Sequence, residues 1–369
     1  MRRVPLAARN LFHDRRRAGL SIAGVAASFL LVLVLDGVFN GAMLQVTSYI
    51  RHSPADLFVA QQGVTTMHMT NSALDPTVAD AVAAVDGVAW VEGLRFTTST
   101  LDAPDDSMLT YVFGYDTSQP VAGPRRIVDG TAPSRGGAVV DEIAADELGL
   151  AIGDNVTVLG ASFRIDGLST GGTYIANTTV FIRTDDFASL RGDNVAYLLV
   201  GIDTGADART VRDAVAHAVP ETTVMTKARF AREEGNVVRS MAADVMLIMS
   251  TIGFVISLGV IGITLFTATM AKQREYGVLK AIGTSTGRLV AVLVGQAAIT
   301  VMAGLALAVV AAAGLGRLIT IVEPNVSVAL TTASVVRTAA AGLLAAALAV
   351  VLPLRRIAHV DAATAFRRV

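Results

Sequence analysis

Lys272-Gln273-Arg274-Glu275-Tyr276-Gly277-Val278-Leu279-Lys280-Ala281-Ile282-Gly283 is a charged, helix-forming string set between two long apolar runs. One run extends from Val245 to Met270 and the other from Leu289 to Leu315. Each exceeds the roughly 20 residues that carry a helix across a bilayer. A short basic loop between two such runs belongs on the cytoplasmic side, because Lys272, Arg274, Lys280 and Arg288 follow the positive-inside bias. The chain therefore reads as a multi-pass α-helical membrane protein.

Composition agrees. Hydrophobic residues make up 53% of the chain and charged residues only 17%, against about 25% charged in an ordinary soluble domain. The apolar residues also cluster, in runs at 18–46, 245–270, 289–315 and 335–354. Four spans put three basic segments on one side: the N-terminus (Arg2, Arg3, Arg9, Arg15, Arg16, Arg17), the central loop, and the C-terminus (Arg355, Arg356, Arg367, Arg368). The segment 47–243 is acidic on balance and so lies outside. Its length, about 195 residues, suits one or two folded subdomains. Basic residues confined to membrane flanks argue against nucleic acid as a partner.

The first run starts behind arginines, as a secretory signal does. A cleavable apolar core is usually about 7–15 residues, whereas this one continues helically through Phe39 and Met43. It reads as an uncleaved anchor. At 1.5 Å per residue it reaches about 43 Å, beyond the ~30 Å hydrocarbon core, and so projects outward as a stalk. The chain has no cysteine, which removes disulfides, thiolate metal sites and CxxC redox chemistry.

Along the outer segment short strands alternate with short helices. Strands are expected at 55–60, 88–100, 108–115, 137–140, 155–159, 163–168, 179–183, 196–203 and 222–225, and helices at 76–85, 142–148 and 206–218. Asp75 reads as the first helix's N-cap, and the whole as an α+β domain of two lobes, the second inserted into the first. From Thr226 a polar stalk bearing Lys227, Arg229, Arg232, Glu233, Glu234 and Arg239 runs into the second span.

The central string is similar to the signature of FtsX-like permeases, the membrane subunits of MacB-type (mechanotransmission, type VII) ABC transporters. Two other stretches resemble that family: Val139 to Val158, with the short helix ending at Leu148-Gly149-Leu150 and the Gly153-Asp154-Asn155-Val156 turn, and the tail Leu354 to Arg367, where Val360-Asp361 stands in place of the commoner Pro-Ala or Pro-Glu. Pro54 to Val59 with Met67-His68-Met69 resembles the DevC-like and haem-exporter-like branch.

The resemblance implies four transmembrane helices with a MacB-like periplasmic core domain between the first and second. The segments are then an N-terminal cytoplasmic amphipathic stretch (1–17), the first span and stalk (18–46), the extracytoplasmic α+β domain (47–225) and the stalk and second span (226–271). The coupling loop (272–288), third span (289–315), outer loop (316–334), fourth span (335–354) and cytoplasmic tail (355–369) follow. It also implies a bacterial cytoplasmic (inner) membrane location with both termini cytoplasmic, a homodimer, two copies of a cytosolic ABC ATPase, contact with lipid, and a periplasmic or cell-wall partner. Movement of the outer domains, driven by ATP hydrolysis, would export an amphipathic or lipophilic cargo. A non-transporting permease that activates a cell-wall hydrolase, and a lipoprotein-releasing permease, are the alternatives.

On this resemblance Lys272, Arg274, Glu275, Tyr276, Gly277, Leu279, Lys280 and Gly283 carry ATPase coupling. The spacing suits docking, with Tyr276, Leu279 and Ile282 forming one apolar helical face. The sequence has no G-x-x-x-x-G-K-[ST], so no cofactor is expected in this chain, and ATP and Mg belong to the partner. The five histidines lack metal-ligand spacing, and no metal site is expected. The pairs Asp105-Asp106 and Asp185-Asp186 read as turns or caps rather than acid/base dyads.

Asp36, Asn40 and Met43 lie on successive turns of the first span, Asp244 begins the second and Arg337 the fourth. Ionisable groups in a span usually face an interior or cavity, so these five are candidates for a substrate path; mutual pairing at the outer interface is the competing reading. Met67, His68 and Met69 form a possible soft-ligand cluster, against packing or a solvated loop.

Overall fold

The computed structural model describes residues 15–172, 178–271, 278 and 284–358. The chain divides into two compact units, 41–241 with 323–326, and 1–40 with 242–322 and 327–369. In chain order the elements are α1 (Arg15–Val46), α2 (Ser48–His52), β1 (Leu57–Gln61), α3 (Val78–Ala83), β2 (Val88–Asp102), β3 (Ser107–Tyr115), β4 (Ile127–Gly130), β5 (Gly137–Asp141), α4 (Glu142–Glu147), β6 (Asn155–Val158), β7 (Ala161–Ser169), β8 (Thr178–Arg183), α5 (Thr184–Arg191), β9 (Tyr197–Ile202), α6 (Ala208–Ala218), β10 (Thr222–Thr226), α7 (Lys227–Ala271), α8 (Thr286–Val322) and α9 (Thr332–Ala358).

The first unit is α+β. Its sheet runs in the order β10-β1-β9-β2-β3-β8-β5-β7-β4, with β6 pairing β2 and β7. Period-two alternation decides which side chains meet. Leu57, Val59, Leu198 and Val200 point to one face, where Val82 of α3 and Val211 and Val215 of α6 cover them. Phe58, Ala60, Tyr197 and Leu199 point to the other, onto Phe230 and Ala231 at the start of α7. A third core gathers Ala138, Val140, Val156, Ile165, Val180 and Ile182 with Ala144 and Ala145 of α4. The inserted strands lie at the far end of the sheet. The two lobes are not separate sheets, however, because the 15-residue β2 pairs first with β9 and then with β3.

Local chemistry sets most boundaries. Asp207 caps α6, accepting from the backbone N–H of Arg209 and Thr210 at 3.1 and 2.9 Å. Gly153 takes a left-handed φ of 99° and the Asp154 carboxylate accepts from the Ala151 N–H at 2.8 Å, closing the turn into β6. One expectation needs correction: the helix placed at 76–85 is regular only over Val78–Ala83. The Asp75 carboxylate accepts from the Thr77 N–H and hydroxyl at 2.9 and 2.6 Å, the bond expected of a cap before Pro76. Asp185 and Asp186, read as a turn or cap, form the first turn of α5, where carboxylates complement the helix dipole. Strand β4 and helix α2 were not legible beforehand.

One carboxyl in β2 makes this unit pH-sensitive. Burial pushes Glu92 up to about 7, helped by the neighbouring Asp116 carboxylate and opposed by a backbone hydrogen bond from Asp116 and by Arg95. The fold therefore favours the protonated form, while the unfolded chain ionises near its ordinary value of 4.5. Stability from this group is complete below about 4.5 and falls as pH rises to about 7. The unfolding midpoint, followed by fluorescence of the single tryptophan Trp90, is expected to drop across that window, and Glu92→Gln is expected to flatten the drop. Equal slopes for the two proteins would rule this out.

The second unit is helical. Leu293, Ala297, Val301, Leu305, Ala308 and Ala312 of α8 recur at three- and four-residue spacing. They pack on Val25, Phe29 and Leu33 of α1 and on Ala345, Ala346 and Ala349 of α9. Small residues let these backbones approach closely. At Gly342 a Cβ would collide with the Phe29 ring.

Among the described residues three helices are long and apolar enough to cross a membrane: Ala18–Val46, Val290–Val322 and Thr332–Val351. Within α7 the apolar stretch Ser250–Ile263 is shorter, so the expected fourth span is not counted among them. The loop placed at 316–334 is also shorter, because α8 continues to Val322 and α9 begins at Thr332. Gly316 and Arg317 do not break α8. It ends at Glu323-Pro324, where the ring disfavours the helical conformation of the residue before it.

Candidate functional site

The helical unit contains a cavity of about 450 Å³. Its walls are apolar, with Phe29, Val32 and Leu35 from α1, Gly253 and Phe254 from α7, and Ala341 from α9. Its polar members are Asp36, Ser250, Ser257, Ser334, Arg337 and Thr338. Helical periodicity places them: Asp36 and Asn40 are one turn apart on α1, and Ser334 and Arg337 one turn apart on α9.

These four side chains form one network. Arg337 Nη2 donates to both Asp36 oxygens, at 2.9 and 3.1 Å. Asn40 Nδ2 donates to Asp36 Oδ2 at 3.1 Å and to Ser334 Oγ at 3.2 Å. Asp36 is 7% exposed, and a buried carboxylate persists in an apolar setting only when paired and hydrogen-bonded. The structure thus joins the two sequence readings, since Asp36 both pairs with Arg337 and lines a cavity.

Two candidates do not join the network. Met43 belongs to the other unit, where its methyl group packs beside Gly235. Asp244 is exposed and outside the cluster. Ser334 was missed in the sequence; its position one turn before Arg337 was the available signal.

The Met67, His68 and Met69 reading is corrected in the α+β unit. Met67 is buried at 1% exposure, Met69 is 60% exposed, and His68 Nδ1 lies 2.7 Å from Glu234 Oε1. Three different surroundings do not make a soft-ligand set. Glu234 Oε2 also accepts from the Met67 N–H at 2.5 Å. Glu234 had been read as decorating a polar stalk, yet it is 1% exposed. It shares a face with Phe230 one turn earlier, and that apolar neighbour turns it inward. Burial, and then the Glu234 charge, push the nearby Tyr197 hydroxyl well above its usual range.

Residues 18–218 match the MacB-like periplasmic core domain family, and residues 247–362 match the FtsX-like permease C-terminal family. The chain belongs to the FtsX-like, MacB-type ABC transporter permeases. It is similar to uncharacterized ABC transporter permeases of Mycobacterium bovis, at 24% identity over 363 residues, and of Mycobacterium tuberculosis, at 25% over 368. Each alignment covers 98% of both proteins. Among solved structures it is similar to the periplasmic region of MacB from Actinobacillus actinomycetemcomitans (TM-score 0.38, 13% identity, 50% of this chain and 94% of that one). The extracellular domain of the transporter YknZ from Gram-positive bacteria gives a TM-score of 0.38 at 13% identity, over 46% of this chain and 98% of that one.

As an ABC transporter permease the chain is a membrane protein with an extracytoplasmic domain, and a cytosolic ATPase is its partner. Of this permease's coupling candidates, Lys272, Arg274, Glu275, Tyr276, Gly277, Leu279, Lys280 and Gly283 lie outside the described residues.

Proposed function

We propose that the permease works as a four-span homodimer in the bacterial cytoplasmic membrane, with both termini cytoplasmic and α7 supplying the fourth span. Two copies of a cytosolic ATPase, holding ATP and Mg, grip the loop at 272–283. ATP-driven closure of the ATPases moves the extracytoplasmic domains, a switch between two rigid packings, and exports an amphipathic or lipophilic cargo. The dimer follows from the two-fold symmetry of paired ATPases.

The observation that carries the transport reading is the cavity in the helical unit. A volume of about 450 Å³ falls in the range of roughly 300–1,000 Å³ typical of small-molecule sites. Apolar walls with one polar corner fit an amphipathic guest. The test is reconstitution of the permease with its ATPase in proteoliposomes, scanning amphiphiles for stimulation of ATP hydrolysis. Stimulation that saturates with cargo and accompanies its movement is expected. Hydrolysis indifferent to every amphiphile, with a cell-wall hydrolase co-purifying, would replace transport with signalling.

A further inference from the structure

The same cavity carries information about the charge of its guest. Asp36 is buried and its charge is already answered, because both oxygens accept from Arg337 and one also accepts from Asn40. Arg337 is the reverse case. Its side chain is 67% exposed against 10% for Asp36, and only Nη2 is engaged. Of the five N–H donors on a guanidinium, those on Nε and Nη1 make no hydrogen bond among the described residues. The pair thus turns a donor edge outward at the polar corner and keeps its acceptors inside.

We propose that the cavity binds an anionic single-chain amphiphile, its phosphate or carboxylate on the free edge of Arg337 and its hydrocarbon chain among Phe29, Val32 and Phe254. This deepens, and rests on, the reading of the cavity as a cargo site. A guanidinium edge matches planar or tetrahedral oxyanions with paired charge-assisted hydrogen bonds. Asp36 holds the side chain in place, so little rotamer freedom remains to be lost when the anion arrives.

The experiment uses the full permease without its ATPase, in non-ionic detergent, with binding followed by thermophoresis. The probes are lysophosphatidylglycerol, an alkyltrimethylammonium of the same chain length, and inorganic phosphate. Lysophosphatidylglycerol is expected to bind at least about tenfold more tightly than the cation, and Arg337→Gln to weaken it by about tenfold or more, as suits a charge-assisted hydrogen bond. Arg337→Lys should weaken it less. Ala341→Phe fills the cavity from an exposed lining position and leaves both residues of the ion pair unsubstituted. It should abolish binding, which guards against an Arg337 variant that simply misfolds.

Preference for the cation would mean that the polar corner does not select an anion, and would overturn the proposal. So would lysolipid affinity unchanged in both Arg337→Gln and Ala341→Phe. Competition by inorganic phosphate as strong as that by the lysolipid would reduce the site to an anion site with no chain, also overturning it. Lysolipid binding that depends on Arg337 without stimulated hydrolysis in proteoliposomes would keep the site and remove transport. Cargo-stimulated transport indifferent to both substitutions would do the opposite.

Discussion

Glu234→Ala is expected to destabilise the extracytoplasmic domain by about 3–5 kcal/mol, the loss typical when one partner of a buried pair is removed. Glu234 accepts from the buried Met67 N–H, and it holds His68 Nδ1 as well. Its removal takes the carboxylate from both donors, in a site where the His68 ring packs against Phe96 and Tyr111. His68→Ala should also destabilise, and the double variant should lose clearly less than the sum, because the two share one interaction. Trp90, the single tryptophan, lies on β2 of the same domain and reports its unfolding in denaturant. A Glu234→Ala midpoint within about 0.5 kcal/mol of the parent, the range of ordinary surface substitutions, would mean that the pair is not a structural tie.

The second large effect is expected at the loop proposed to hold the ATPase. Glu275→Lys reverses a charge in the family string, and Gly277→Val adds bulk next to Tyr276 within it. A lost charge pair buried at an interface is worth about 2–5 kcal/mol, roughly 30-fold or more in affinity. Either variant should insert and dimerise normally, while the ATPase co-purifies poorly or hydrolyses ATP without transport. The measurements are ATPase recovery on the purified permease and cargo movement in proteoliposomes. Parental values for both variants would move the ATPase contact to another segment. If coupling and cargo recognition are separate, lysolipid binding should survive both substitutions.

Much of the fold was legible because its signals are local. Short continuous apolar runs at Leu57–Gln61 and Tyr197–Ile202 mark strands covered on both faces. Where local signals competed, the sequence misled. The helix expected from Pro76 is regular only from Val78, and the third span, placed to end at Leu315, continues helically to Val322.

The sequence by itself determined that this is a membrane permease with an outer α+β domain: long apolar runs, segregated basic residues and a family string are all properties of contiguous residues. It also placed Asp36 and Arg337 in helices where a charge needs a reason. Only the tertiary structure decided what that reason is. Asp36 meets Arg337 across 301 positions and His68 meets Glu234 across 166. Periodicity tells which face of a helix a residue occupies, but not which distant element covers that face. The same limit explains Met67, His68 and Met69, which looked like one cluster in the chain. Packing separated them, because the burial of one side chain, the hydrogen bond of the next and the exposure of the third are each settled by what lies opposite.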